Sequence, residues 1–170
     1  MPPTLPLHPV NPDNACPLRI TAAAGNSGPG YQTIKSPGVS KKIITVGGFN
    51  DNRMDEQNYN ENFFEVADFS SRGPALKHFK PDVIAPSVNI HSCSHNGFYT
   101  TLSGTSVATP MIAGICALAY EINDRVTPNE LKQLLTTYTK AITYNNNIEG
   151  YGIPNAENIL SILKKNKKQV

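Results

Sequence analysis

The sequence predicts an α/β fold, and three observations carry that prediction. Short β-branched runs bounded by turn residues recur, clearest in Ile43-Ile44-Thr45-Val46-Gly47-Gly48. The stretch from Ser106 to Ile122 is apolar at helical spacing, with alanines between its larger residues. Thr127-Pro128-Asn129-Glu130 is a helix start, with Thr at the N-cap, Pro at the first helical position and Glu three residues after the cap. Strands mixed with helices, without strict alternation, suit a sheet covered by helices.

The elements follow in order. Residues 1–17 hold six prolines and no apolar period, so they are expected to form an irregular leader. Leu18 to Ala24 is short and mostly apolar and suits a strand buried on both faces, although its alanines would equally suit a helix. The glycine-rich loop Gly25-Asn26-Ser27-Gly28-Pro29-Gly30 and a turn at Ser36-Pro37-Gly38 lead to the strand at 43–48, and residues 50–62 read as an exposed polar loop. Val83-Ile84-Ala85, Val88 to Ser92 and Phe98 to Leu102 are further short strands. The helix from Ser106 is apolar all round and is expected to be buried, with Pro110 in its first turn. The second helix presents Leu131, Leu134, Leu135 and Tyr138, and a third from about Asn155 buries Ala156, Ile159, Leu160 and Leu163. The organisation is thus a leader (1–17), one domain (18–165) and a basic tail (166–170).

Composition excludes several classes. Charged residues make up 16% and the net charge is +2, with Lys and Arg clustered only in the solvated tail Lys164-Lys165-Asn166-Lys167-Lys168, so no nucleic-acid partner is expected. Cys16, Cys93 and Cys116 are an odd set without metal-ligand spacing, and Cys116 reads as a small buried residue. No metal or cofactor is expected. The first residues show no signal peptide, which leaves the compartment open, and the apolar run Met111–Tyr120 is too short for a bilayer, so no membrane partner is expected.

Ser106 is the residue most suited to chemistry. It stands where an irregular Gly-Thr segment meets a helix, whose free N–H groups and positive dipole end favour a developing oxyanion. The local alternative is a plain N-cap serine. A nucleophile-elbow motif is not satisfied, because Ala108 stands where that motif needs Gly. Asn26, just past a strand, could aim its amide at a carbonyl oxygen or could simply be a turn residue. Its loop lacks the Gly-Lys-Ser/Thr ending of a phosphate loop.

Gly104-Thr105-Ser106-Val107-Ala108-Thr109-Pro110 resembles the nucleophile motif of the subtilases, and Ala23-Ala24-Gly25-Asn26 resembles the motif carrying their oxyanion Asn. Phe69 to Pro74, Lys80 to Pro86 and Gly150 to Ala156 are similar to three further segments, in the right order. The resemblance implies the C-terminal portion of a subtilisin-like three-layer fold, with a mostly parallel sheet and a buried central helix. It implies a serine endopeptidase acting on a polypeptide substrate. Ser106 would be the nucleophile. Asn26, the Ser106 N–H and the Thr105 hydroxyl would hold the oxyanion. Ala23, Ala24 and Gly25 would wall the specificity pocket, with Leu102 and Phe69 on the leaving-group side. Lys35 stands where relatives often carry Gly.

The family's Asp and His-Gly-Thr-His motifs precede the oxyanion Asn, and neither is among the 25 residues before Asn26. His8, His78, His91 and His95 do not stand where the family has its base. The chain alone is therefore expected to be inactive, and functional only with an N-terminal half supplied in cis or in trans. The alternative is a non-catalytic pseudoprotease or truncated product that acts, if at all, as a binding protein.

Overall fold

The computed structural model describes residues 20–52 and 63–167, without the side chains of residues 96, 166 and 167. The expected leader, Leu18 and Arg19 of the first strand, residues 53–62 of the expected loop and residues 168–170 of the tail lie outside the described residues.

The sheet is built around β2 (Ile44–Asn50). β1 (Thr21–Ala23) pairs with it in parallel, Thr21 opposite Ile44 and Ala23 opposite Val46. β3 (Glu65–Val66) continues antiparallel along the same edge, at Phe49 and Asn50. β4 (Val83–Pro86) pairs in parallel along the other edge, from Val46 to Phe49. A hairpin of β5 (Ile90–Cys93) and β6 (Tyr99–Leu102) then leads into α1 (Thr105–Ile122). α2 (Pro128–Thr137), β7 (Thr139–Lys140), α3 (Asn146–Glu149), β8 (Ile153–Pro154) and α4 (Ala156–Lys167) complete the chain, with β7 and β8 antiparallel.

Alternation along β2 and β4 divides the core, because successive side chains leave a strand on opposite faces. Ile44, Val46, Val83 and Ala85 meet Ala108, Ile112, Cys116 and Ala119 of α1, Leu131 and Leu135 of α2, and Ile159 and Leu163 of α4. Phe49 and Ile84 form a second cluster with Val66, beside Phe64, Ile148 and Ile153. Burial on both faces explains why β2 reads as a continuous apolar run.

Three expectations change. First, α1 is buried along one face only. Ser106, Pro110, Ala113, Gly114, Ala117 and Leu118 are exposed on the other, and Leu118 is 48% accessible. By length and composition the eighteen-residue helix could cross a membrane. Its buried face packs against β1, β2, β4 and α4. Second, Pro110 is the sixth residue of α1, not in its first turn, so it withholds the N–H that would have bonded the Ser106 carbonyl. Third, of the α4 residues named, Ile159 and Leu163 are buried, while Ala156 and Leu160 are half-buried.

A buried ionic cluster ties β2, β4 and α2 together. The Asp82 carboxylate accepts from the Thr45 N–H at 2.7 Å and from Lys80 Nζ at 2.5 Å, and it meets Lys132 Nζ at 2.7 Å. Lys80 is 2% exposed and also donates to Thr45 Oγ1 at 2.8 Å. Burial pulls the Lys80 ammonium below the ordinary lysine value, against the hydrogen bond and charge of Asp82, and the neighbouring Lys132 lowers it further. Glu149, 1% exposed, accepts from the Ile142 and Thr143 N–H groups at 2.6 and 2.8 Å and so fixes the α2–α3 connection.

Candidate active site

Ser106 is the second residue of α1, and its side chain is exposed. It is not the helix cap. The N-cap is Gly104, which has no side chain with which to cap, at φ 149° and ψ 160°. The cap comes from another part of the chain. Asn26 Oδ1 accepts from the Thr105 N–H at 2.9 Å and from Thr105 Oγ1 at 2.9 Å, across 79 residues of sequence. The Val107 N–H bonds the Gly104 carbonyl at 3.1 Å. Of the first three N–H groups of α1, that of Ser106 is therefore the one left open among the described residues.

Anchoring Asn26 by its oxygen directs its nitrogen. A Cβ on Gly104 would lie 3.0 Å from Asn26 Nδ2 and 3.3 Å from Ser106 Oγ, so both groups crowd one point beside the Gly104 backbone. Two N–H donors, Asn26 Nδ2 and the Ser106 amide, thus stand near a hydroxyl at the positive end of a long helix. That arrangement can stabilise negative charge on an oxygen held near the Ser106 hydroxyl. The Thr105 hydroxyl is arranged differently from the expectation. Its proton goes to Asn26 Oδ1, and its oxygen accepts the Gly25 N–H at 3.2 Å, so it orients Asn26 instead of facing a substrate.

The loop carrying Asn26 is clamped by residues 68–72. The Ser71 N–H donates to the Gly25 carbonyl at 2.8 Å, and the Gly28 N–H donates to the Phe69 carbonyl at 2.9 Å. Ser71 Oγ accepts the Ser27 N–H at 3.1 Å. A Cβ on Gly28 would fall 2.3 Å from the Asp68 and Ser70 carbonyl oxygens, so only glycine permits this approach. Sequence reasoning quoted Phe69 to Pro74 as a motif without giving it this role; the run of small residues against a glycine loop was the available signal. On the α1 side, the Gly104 N–H donates to the Ser87 carbonyl at 2.8 Å, and the Ser87 N–H donates to the Phe49 carbonyl at 2.9 Å, which moors the approach to Ser106 on β2.

Ala24 is fully buried and bonds the Val46 carbonyl through its N–H at 2.8 Å, while Ala23 and Gly25 are half-buried. Leu102, at the end of β6, is 54% exposed. Phe69 turns its ring toward Gly48 of β2. His91 pairs with Thr101 and stacks on Tyr99, and His95 pairs with Ser94. Among the described residues no imidazole hydrogen-bonds the Ser106 hydroxyl.

The profile of the Subtilase family matches residues 14–152. The chain belongs to the subtilase family. It is 46% identical over 155 residues to serine protease AprX of Bacillus subtilis (strain 168), a match covering 82% of this chain and 34% of that protein. It is 32% identical over 148 residues to M-protease of Shouchella clausii (strain KSM-K16), covering 87% and 34% respectively. This subtilase chain thus spans about a third of the length of those relatives. Among solved structures it superimposes on sphericase with a TM-score of 0.66 at 29% identity, covering 79% of this chain and 46% of that one. The S41 psychrophilic protease gives 0.67 at 28%, covering 79% and 47%. The mixed α/β architecture is accordingly a partial subtilisin fold.

Proposed function

We propose that these residues carry the nucleophile and the oxyanion site of a serine endopeptidase, and that the 170 residues alone do not turn over peptides. The observation that carries the first part is the double use of the Asn26 carboxamide, whose oxygen caps α1 while its nitrogen lies on the same side of Gly104 as Ser106 Oγ. Ser106 Oγ attacks the peptide carbonyl carbon. The carbonyl oxygen takes up the charge and is held by Asn26 Nδ2 and the Ser106 N–H, with the dipole of α1 behind it. Ala23, Ala24 and Gly25 line the acyl side and Leu102 the leaving-group side.

The second part rests on the proton. A serine hydroxyl without a neighbouring base stays protonated and is a poor nucleophile at neutral pH. In subtilisin, loss of the base alone slows turnover on the order of 10⁶-fold. No imidazole pairs with Ser106 among the described residues. Activity therefore requires further chain carrying a base, in cis or in trans. The exposed apolar side of α1 and the edge of β1 away from β2 support a surface for it.

Labelling with a fluorophosphonate tests this reading. The 170-residue chain is expected to label slowly, and only at Ser106. Rapid labelling, or peptide hydrolysis by this chain that Ser106→Ala abolishes, would overturn the claim of inactivity. Labelling undiminished by Ser106→Ala would overturn the assignment of the nucleophile.

A further inference from the structure

A cavity of about 420 Å³ lies at the end of the sheet away from Ser106. Asn26 follows the C-terminal end of β1, and Ser87, which moors the approach to Ser106, follows that of β4. β1, β2 and β4 run parallel. Lys41 precedes β2, and Lys80 and Asp82 precede β4, so the cavity they line opens at the N-terminal ends of those strands. The seven residues of β2 separate the two ends by roughly 20 Å. The charge of the cavity is unbalanced. Lys41, Lys80 and Lys132 line it against the single carboxylate of Asp82, which Lys80 and Lys132 already share. Two ammoniums on one carboxylate leave a positive charge in the floor, where solvent screens it less than at an open surface. The Lys41 carbonyl accepts from Lys132 Nζ at 3.1 Å, while its own ammonium, on an exposed side chain, has no ion pair or hydrogen bond among the described residues.

The walls have a length and a polarity of their own. Asn129, Lys132, Gln133 and Thr136 stand at i, i+3, i+4 and i+7 on α2, so one face of that helix lines the cavity for about 10 Å. An extended chain advances about 3.3 Å per residue, so about three residues match that face. The wall also holds an aromatic pair. Phe79 and Tyr151 meet edge-on with ring centroids 5.3 Å apart, and they remain 37% and 43% exposed. The Tyr151 N–H donates to the Asp82 carbonyl at 2.9 Å, which ties the pair to the ionic cluster. We propose that this cavity is a docking site for an extended acidic segment of a second polypeptide, with an apolar side chain set among its carboxylates. The carboxylates face Lys41 and the positive floor, the Gln133 amide bonds the peptide backbone, and the apolar side chain packs on Phe79 and Tyr151. The site is independent of the role given to Ser106, since none of the groups around Ser106 and Asn26 lines it.

Titration of the 170-residue chain, followed by amide chemical shifts, tests the proposal. The probe is acetyl-Glu-Phe-Glu-amide, compared with its Gln-Phe-Gln and Glu-Ser-Glu analogues. The probe is expected to shift the Lys41, Gln133 and Tyr151 amides, to leave those of Asn26 and Ser106 in place, and to bind about fivefold more tightly than either analogue at low salt. Added salt should narrow its advantage over Gln-Phe-Gln. Lys41→Met, which keeps the stem of an exposed side chain, should bring the probe close to Gln-Phe-Gln. The proposal is overturned if the analogues bind as tightly as the probe, if Lys41→Met leaves the probe unaffected, or if the shifts centre on Asn26 and Ser106. The same shifts from sodium acetate at equal carboxylate concentration would also overturn it, since the cavity would then take any anion instead of a peptide.

Discussion

Replacing Asn26 separates its two duties. In Asn26→Ala the Thr105 N–H and hydroxyl both lose their acceptor, at a residue 1% exposed. Losing a helix cap costs about 0.5–2 kcal/mol. Leaving a buried donor unsatisfied costs about 1–3 kcal/mol. These overlap in the Thr105 N–H, so the expected loss is about 2–3 kcal/mol, a large share of a typical domain stability of about 5–15 kcal/mol. Asn26→Asp keeps an oxygen where Oδ1 stands and adds a negative charge at a helix N-terminus, worth about 0.3–1 kcal/mol. It should therefore stay within about 1 kcal/mol of the native chain, yet replace the outward N–H₂ with an oxygen that repels an oxyanion. Urea denaturation followed by circular dichroism measures the first effect, and the fluorophosphonate labelling rate of Ser106 measures the second. The expected pattern is an unstable Ala variant, a stable Asp variant, and slowed labelling in both. If Asn26→Ala shifts the denaturation midpoint no more than a surface substitution does, Asn26 is not the cap, and the account of how its nitrogen is aimed fails with it.

Other perturbations follow from the same geometry. Asp82→Asn leaves the buried Lys80 ammonium without its counter-charge and should cost about 3–5 kcal/mol, read as a lowered urea midpoint with an unchanged slope. The Lys80 shift sets a sign. Since folded Lys80 gives up its proton below the ordinary value of 10.5, the unfolded chain holds more protons in that window, and native stability should rise relative to Lys80→Met as the pH approaches 10.5 from below. A fall over that range would contradict the burial argument. Thr127→Ala removes the side-chain half of the capping box of α2, the Oγ1 that donates to Glu130 at 2.8 Å and accepts the Glu130 N–H at 3.3 Å, and should cost about 1 kcal/mol near neutral pH. The backbone N–H and the hydroxyl of Thr127 together hold the Glu130 carboxyl below its ordinary 4.5, and the variant loses the second, so the penalty should shrink as acid protonates Glu130, which thermal melts at two pH values would show.

What the sequence made legible was local. The capping box placed the start of α2 at its observed residue, and Leu131 and Leu135 are fully buried as their spacing implies. The apolar runs of β2 and β4 were found because both faces are covered. β3, β7 and β8 span two residues each, too few for any alternation to register, and α3 is four residues inside an asparagine-rich stretch. Reading α1 as buried all round failed because composition reports what a helix can bury, not what packs on it. The site was harder. Seen locally, Ser106 was a cap and Asn26 a turn residue. Their conjunction became visible through ordered motifs, since the bonds joining them run between positions 79 residues apart. The demotion of the Thr105 hydroxyl to a positioning group needed the directions of its hydrogen bonds.

The clamp on the Asn26 loop has a consequence for how the molecule is made. Its fastenings reach forward 44 residues to Ser71 and 80 residues to Thr105. Loop-closure entropy must be overcome before contacts so distant in sequence yield any return, and such contacts form late. During synthesis, then, the loop leaves the ribosome well before the residues that shape it. No short excised peptide around either motif would hold the arrangement, and a chain stopped ahead of Thr105 would carry an amide with nothing to aim it.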